Sequence, residues 1–192
     1  MTNVQVQQIS IKLPADRTLG FDQSAYIPIF HRWIRDGRIE GRLLIDVADY
    51  RHVPEGPGIM LIAHEGHFAI DEGDGRIGLR WSRKRDEPGE PRERLREAWR
   101  DALTAAALLE REPTSPLTFS GSEVEIQVQS RLYAPNTEHT FDALAPEIET
   151  LAAQVFGGDV TVERLSTDAR DAFGVRVVAS KRAPIAAQLE RL

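Results

Sequence analysis

Residues 90–110 constrain the fold most: Leu95, Ala98, Trp99, Ala102, Leu103, Ala106 and Leu109 recur along one helical stripe, with Pro91 near its start. A helix that is apolar on one stripe must bury it against another layer. The flanking sequence supplies that layer. Ile9, Ile11 and Leu13 alternate at a period of two before Pro14, which predicts a half-buried strand. Val4 and Val6 fall on the opposite parity, so a bulge or an early change of face is expected ahead of it.

From Phe21 onward the period changes. Ile27, Phe30, Trp33 and Ile34 fit a short amphipathic helix, with Pro28 in its first turn, His31 beside Phe30, and Gly37 to end it. LLIDVADY follows, apolar on both parities, as expected of a central strand buried on both faces. Pro54, Gly56, Pro57 and Gly58 mark a loop, and GIMLIAHEGHFAID then resumes strand character with a bulge expected at Gly66. RIGLRWSRK places Ile77, Leu79 and Trp81 on one face, and the stretch as a whole counts as a meander of three or four strands.

After Pro113 and Pro116, the residues Val124, Ile126 and Val128 read as a strand. Leu144, Ile148, Leu151 and Val155 define a helix over residues 140–156, capped by Thr140 and stopped by Gly157. Strands near residues 160–165 and 173–178, and a short helix over 184–192, complete the chain.

The predicted order is β-α-β-β-β-α-β-α-β-β-α, an α+β fold with an antiparallel or mixed sheet and helices on one side. A single irregular sheet sandwich with helices is the alternative. The prolines divide the chain into a half over 1–112 and a half over 117–192, expected to form one compact unit. Phe21-Asp22 and Phe141-Asp142 each lead into a proline-containing helix, a terminating glycine and strands, an echo that allows two related β-α-β-β units.

Composition narrows the function. The chain has 192 residues, enough to bury about 70% of its unfolded surface without staples. It contains no Cys, so thiol nucleophiles and thiolate metal sites are excluded, and any metal must use His, Asp or Glu. A formal charge of -6 argues against a general phosphate-backbone binder. The N-terminus lacks signal-peptide character and no apolar run suggests a spanning helix, so a soluble cytoplasmic protein without membrane contact is expected.

The chemically loaded stretch runs from Asp46 to His67. Asp46 interrupts an apolar run, and a buried carboxylate there would need pairing, protonation or hydrogen bonds. A hairpin through the Pro/Gly loop with Tyr50 across from Gly58 puts Asp46 opposite Ile62 and His64 opposite Leu44. Asp46 and His64 would then be diagonal neighbours on one face, about 7–8 Å apart at the backbone, and a one-residue slip would destroy the relationship. Such a pair suits general-base catalysis or merely satisfies itself in the core. Asp49, His52, Glu65 and His67 are the candidate ligand-binding residues around it. A divalent metal would take Asp46, His64 and His67, but His64 and His67 point to opposite faces of an extended strand unless Gly66 bends it.

Other constellations are weaker. The loop Pro54-Glu55-Gly56-Pro57-Gly58 lacks the Lys-Ser/Thr ending and following helix of a P-loop. The turn over residues 71–75 lacks the terminal Glu of a calcium loop. Arg80, Arg83, Lys84 and Arg85 surround Trp81, with Arg92, Arg94 and Arg96 following. Asp86, Glu87, Glu90, Glu93 and Glu97 offset them, which reads as a solvated face rather than a single-strand nucleic-acid site. Ser120-Gly121-Ser122 has no nucleophile-elbow setting.

IPIFHRWI, LLIDVADYRHVPEGPGIMLIAHE and DGRIGLRW together resemble an uncharacterised conserved bacterial protein family, over roughly residues 26–85. That resemblance implies no fold, activity, cofactor or site residue. Two functional expectations follow from the residues themselves. One is a small-molecule-binding protein or enzyme with a polar Asp/His pocket. The other is a non-catalytic oligomeric or protein-interaction module using a sheet edge or the surroundings of Trp33 and Trp81.

Overall fold

The structure, a computed structural model, describes residues 4–17, 20–54, 56–84 and 89–192. The fold is α+β. In chain order the strands are β1 (Ile9–Arg17), β2 (Leu44–Asp49), β3 (Ile59–Ala63), β4 (Gly66–Asp71), β5 (Gly78–Arg83), β6 (Thr118–Phe119), β7 (Glu123–Val128), β8 (Val160–Arg164) and β9 (Phe173–Ala179). The helices are α1 (Tyr26–Asp36), α2 (Pro91–Glu110), α3 (Glu138–Phe156) and α4 (Ile185–Arg191).

Among the described residues, nine strands form one sheet in the order β2-β3-β4-β5-β1-β7-β9-β8, with β6 alongside β1. Every pairing is antiparallel. The first strand of the chain therefore lies in the middle, and its pairing with β7 joins the two halves into one sheet. The order β-α-β-β occurs in both halves, with the β4–β5 hairpin set between β3 and β1 in the first.

The alternation of β1 sorts the two faces. Ile11 pairs with Trp81 and Ile126, Trp81 with Phe68, Phe68 with Leu61, and Ile126 with Val175. All six are buried, forming a continuous apolar row under α1, α2 and α3, which pack on β2–β3, β1–β5 and β8–β9 respectively. Each fully buried side chain of this size contributes about 1.5–3 kcal/mol. The next residue along each strand faces away from the helices, giving the row Met60, Ala69, Arg80, Lys12, Glu125 and Arg176.

Three expectations need correction. GIMLIAHEGHFAID is not one bulged strand but two, β3 and β4, turning at His64–Glu65. A Cβ on Gly66 would meet Ser82 O at 2.4 Å and the Trp81 ring at 2.6 Å, so only glycine lets β4 start beneath that indole. LLIDVADY is not a central strand, because β2 ends the sheet. The third helix starts earlier than expected: Thr137 caps it, accepting the Thr140 amide, while Gly157 ends it in a left-handed conformation as predicted. The parity change near Val4 and Val6 falls at Gln8 (φ 52°), just ahead of β1.

Candidate functional site

The hairpin register was legible as far as Asp46. Tyr50 N donates to Gly58 O at 2.8 Å, and Asp46 stands opposite Ile62. Beyond that, Ile45 is an extra residue: Leu44 pairs with Ala63, and His64 N reaches Leu43 O instead of Leu44. The bulge sets His64 against Leu43 rather than Leu44 on the neighbouring strand. The Asp46 and His64 side chains are both exposed, and no hydrogen bond or ion pair joins them among the described residues. Because Tyr50 bonds to β3, antiparallel alternation turns the Val47 and Asp49 backbone groups toward the open edge. Asp46 Oδ1 accepts the outward Val47 amide at 2.8 Å. The residue expected to be a buried catalytic acid is thus an edge group.

The remaining candidates divide between the two ends of the hairpin. Asp49 and His52 lie at the loop end, whereas His64, Glu65 and His67 lie at the turn, roughly 15–20 Å away at about 3.3 Å per residue. Asp49 grips Arg51 through both carboxylate oxygens, at 2.9 and 2.6 Å, and accepts its amide as well. Those bonds from Arg51 lower the carboxyl to about 2. His52 stacks on Tyr50 with ring centroids 6.4 Å apart. His67 faces away from the helices between Ile62 and Ser82, and burial, aided by the charge of Lys84, lowers its imidazole. Among the described residues no three His, Asp or Glu side chains are grouped to hold a metal ion, so Asp46, His64 and His67 do not form the expected metal site.

The basic run is largely spent on structural contacts. Arg80 bonds Asp71, Ser10 and Gln127; Arg83 reaches Glu97; Arg94 takes the carbonyls of Val6 and Gly89. Arg85, Asp86, Glu87 and the loop residue Glu55 lie outside the described residues.

The densest polar constellation is on the helix-free face, and sequence reasoning missed it. Lys12, wholly buried, bonds Asp71 Oδ2 at 2.6 Å and Gly73 O at 2.7 Å, and Arg80 meets the same Asp71 oxygen at 3.0 Å. Beside it, Arg76 and Arg176 both bind Glu123 and Glu125. The period of two put Lys12 on the face opposite Ile11, but not beneath the β4–β5 connection that shields it.

That connection also walls a cavity of about 310 Å³, formed where it meets the β2–β3 loop and the turn that precedes α1. Tyr50 and Arg51 line it from the β2–β3 loop, Glu72 and Gly73 from the β4–β5 connection, and Gln23 from the turn before α1. Gln23 Nε2 donates to Ile70 O at 2.7 Å, which fixes the amide and leaves its oxygen as an acceptor. Gly58, also lining, has φ +70°, and a Cβ there would lie 1.8 Å from Gln23 Nε2. The Lys12–Gly73 bond holds the opposite wall to the sheet. A cavity near 300 Å³ with a few fixed polar groups is at the small end of ligand sites.

No protein-family model, curated protein or solved structure matches the chain. Among the described residues no helix is long and apolar enough to cross a membrane.

Proposed function

We propose that the protein binds a compact, hydrogen-bonding small molecule in the cavity between the β2–β3 and β4–β5 connections. The observation that carries this reading is the set of complementary groups lining about 310 Å³: the Arg51 guanidinium set by Asp49, the Gln23 amide held on Ile70, and the exposed Glu72 carboxylate. Such a set offers donors and acceptors together, suiting a ligand that carries both. Of the residues expected to bind ligand, Asp49 retains a role by positioning Arg51; His52 supports Tyr50 by stacking.

The test is a fragment screen followed by ¹⁵N chemical shifts. Binding fragments should move the amides of Arg51, Gly56, Gly58 and Gly73, and Arg51→Ala should weaken them. Fragments that perturb only other surfaces, or none that bind, would sink the reading.

One observation favours a second reading, assembly through β2. On this end strand and the residue before it, Leu43 is 63% and Ile45 53% exposed, beside an outward backbone edge. A second copy is the occupant that continues the all-antiparallel sheet with two-fold closure. Centred on Val47, the pairing sets Asp46 against Ala48 of the other copy and keeps the acids apart; the Val47 amide must exchange Asp46 for the partner strand, which makes the association weak and concentration-dependent. Light scattering that gives a dimer for the parent protein and a monomer for Ile45→Lys would support it; a concentration-independent monomer would end it.

A further inference from the structure

A second cleft lies on the helical side, away from the proposed ligand cavity, where the C-terminal ends of α1 and α2 approach one another. It encloses about 260 Å³. Trp33, Leu108 and Pro113 line it together with three arginines, Arg32, Arg38 and Arg111, and two acids, Asp36 and Glu112.

Both acids are already engaged. Glu112 accepts Arg32 at 2.8 Å through one oxygen and the Trp33 indole at 2.9 Å through the other. Asp36 is held by Arg35 at 2.8 and 3.2 Å. Arg38 and Arg111 are left with no acid in hydrogen-bonding or ion-pair contact among the described residues, and Arg38 acts on Asp36 only at a distance. Nor are these guanidinium groups needed to cap the two helices. Backbone amides already close the ends: Gly37 N on Ile34 O, Arg38 N on Trp33 O, Arg111 N on Leu108 O and Glu112 N on Leu109 O. In a chain of formal charge -6, two uncommitted cations sharing one cleft run against the overall balance.

We infer that this cleft binds a phosphoryl group, gripped between Arg38 and Arg111, with the small apolar part of its bearer against Leu108 and Pro113. Two guanidinium forks offer paired N–H donors from two directions. A tetrahedral dianion presents three oxygens to the two forks and carries twice the charge of a carboxylate, so it gains more from a second guanidinium. The site is independent of the cavity near Arg51, so either can fail without the other.

The experiment titrates the protein with inorganic phosphate, acetate and chloride at constant ionic strength, following arginine Nε–H and the Trp33 indole N–H by NMR. Saturable shifts at Arg38, Arg111 and Trp33, with phosphate about tenfold or more tighter than acetate, are expected. Arg38→Ala and Arg111→Ala should each weaken phosphate by about tenfold or more. Arg100→Ala, an exposed arginine of α2 outside the cleft, should leave it unchanged. All of these side chains are exposed, and a parent-like ¹⁵N spectrum confirms that each variant folds. Linear, unsaturable shifts, equal affinity for acetate, or parent-like binding by both cleft variants would overturn the assignment.

Discussion

Lys12 and Asp71 are joined at 2.6 Å across the helix-free face, with the lysine side chain wholly buried and the aspartate 8% exposed. The two partners are not equivalent, because Arg80 also holds Asp71 whereas, among the described residues, Lys12 has no second carboxylate in contact. Asp71→Asn leaves a buried ammonium uncompensated and should cost about 3–5 kcal/mol. Lys12→Met leaves Asp71 paired with Arg80 and should cost clearly less, about 1–2 kcal/mol. Urea denaturation of the two variants measures the asymmetry; equal losses would refute it.

The same pair sets an acid limit. Burial pushes Asp71 up, but Arg80 and Lys12 together outweigh it and hold the carboxyl below its ordinary 3.8. A folded value below the unfolded one means the pair's stabilisation is present above pH 3.8 and is lost as pH falls through the folded value. Asp101 has the opposite sign. Burial pushes it up to about 6, against the bonds from Arg42. Its protonated form favours the fold, so that contribution is full below pH 3.8 and declines as pH rises through about 6. Asp71→Asn should flatten the acid limb of stability against pH, and Asp101→Asn should flatten the slope between about pH 4 and 6. Unchanged profiles in either variant would contradict the corresponding sign.

Asp46 should act as a guard on the sheet's end strand. Asp46→Ala releases the outward Val47 amide beside the exposed Ile45 and should raise self-association several-fold, about 1 kcal/mol or less in free energy. Adding Ile45→Lys should reverse the increase. Sedimentation velocity over a concentration series reads both effects.

Gly58 cannot accept a side chain without disturbing the proposed ligand cavity. Its φ of +70° and the 2.5 Å approach of a Cβ to Ile70 O predict that Gly58→Ala destabilises the protein by about 1–3 kcal/mol. Gly75 also has a positive φ, 69°, but open space around it, so Gly75→Ala should cost about 1 kcal/mol. Thermal unfolding of the two variants separates conformational strain from the clash with Gln23.

The parts of the fold that were legible are those written in local period. The stripe of α2, the parity of β1 and the pairing of Asp46 with Ile62 all follow from spacing over a few residues. Strand order does not. β2 reads as central because both parities are apolar, yet its place is decided by β1 pairing with β5 and β7, far along the chain. The Ile45 bulge leaves no mark in composition, and it sets His64 against Leu43 rather than Leu44. The split between β3 and β4 depends on an indole from β5. The cavity brings Gln23, Arg51 and Glu72 together from three separate connections, so no single motif announces it.

The central position of β1 has a consequence during synthesis. Ser10 lies opposite Ser82 on one side and Gln127 on the other, so β1 leaves the ribosome well ahead of its second neighbour, and the chain through residue 128 must follow before both its edges are covered. Until β7 emerges, the nascent chain presents a bare edge that includes the buried-to-be Lys12. Chaperone dependence should therefore concentrate in that window, and a translational pause before residue 123 would prolong the exposure that one placed after β7 would not.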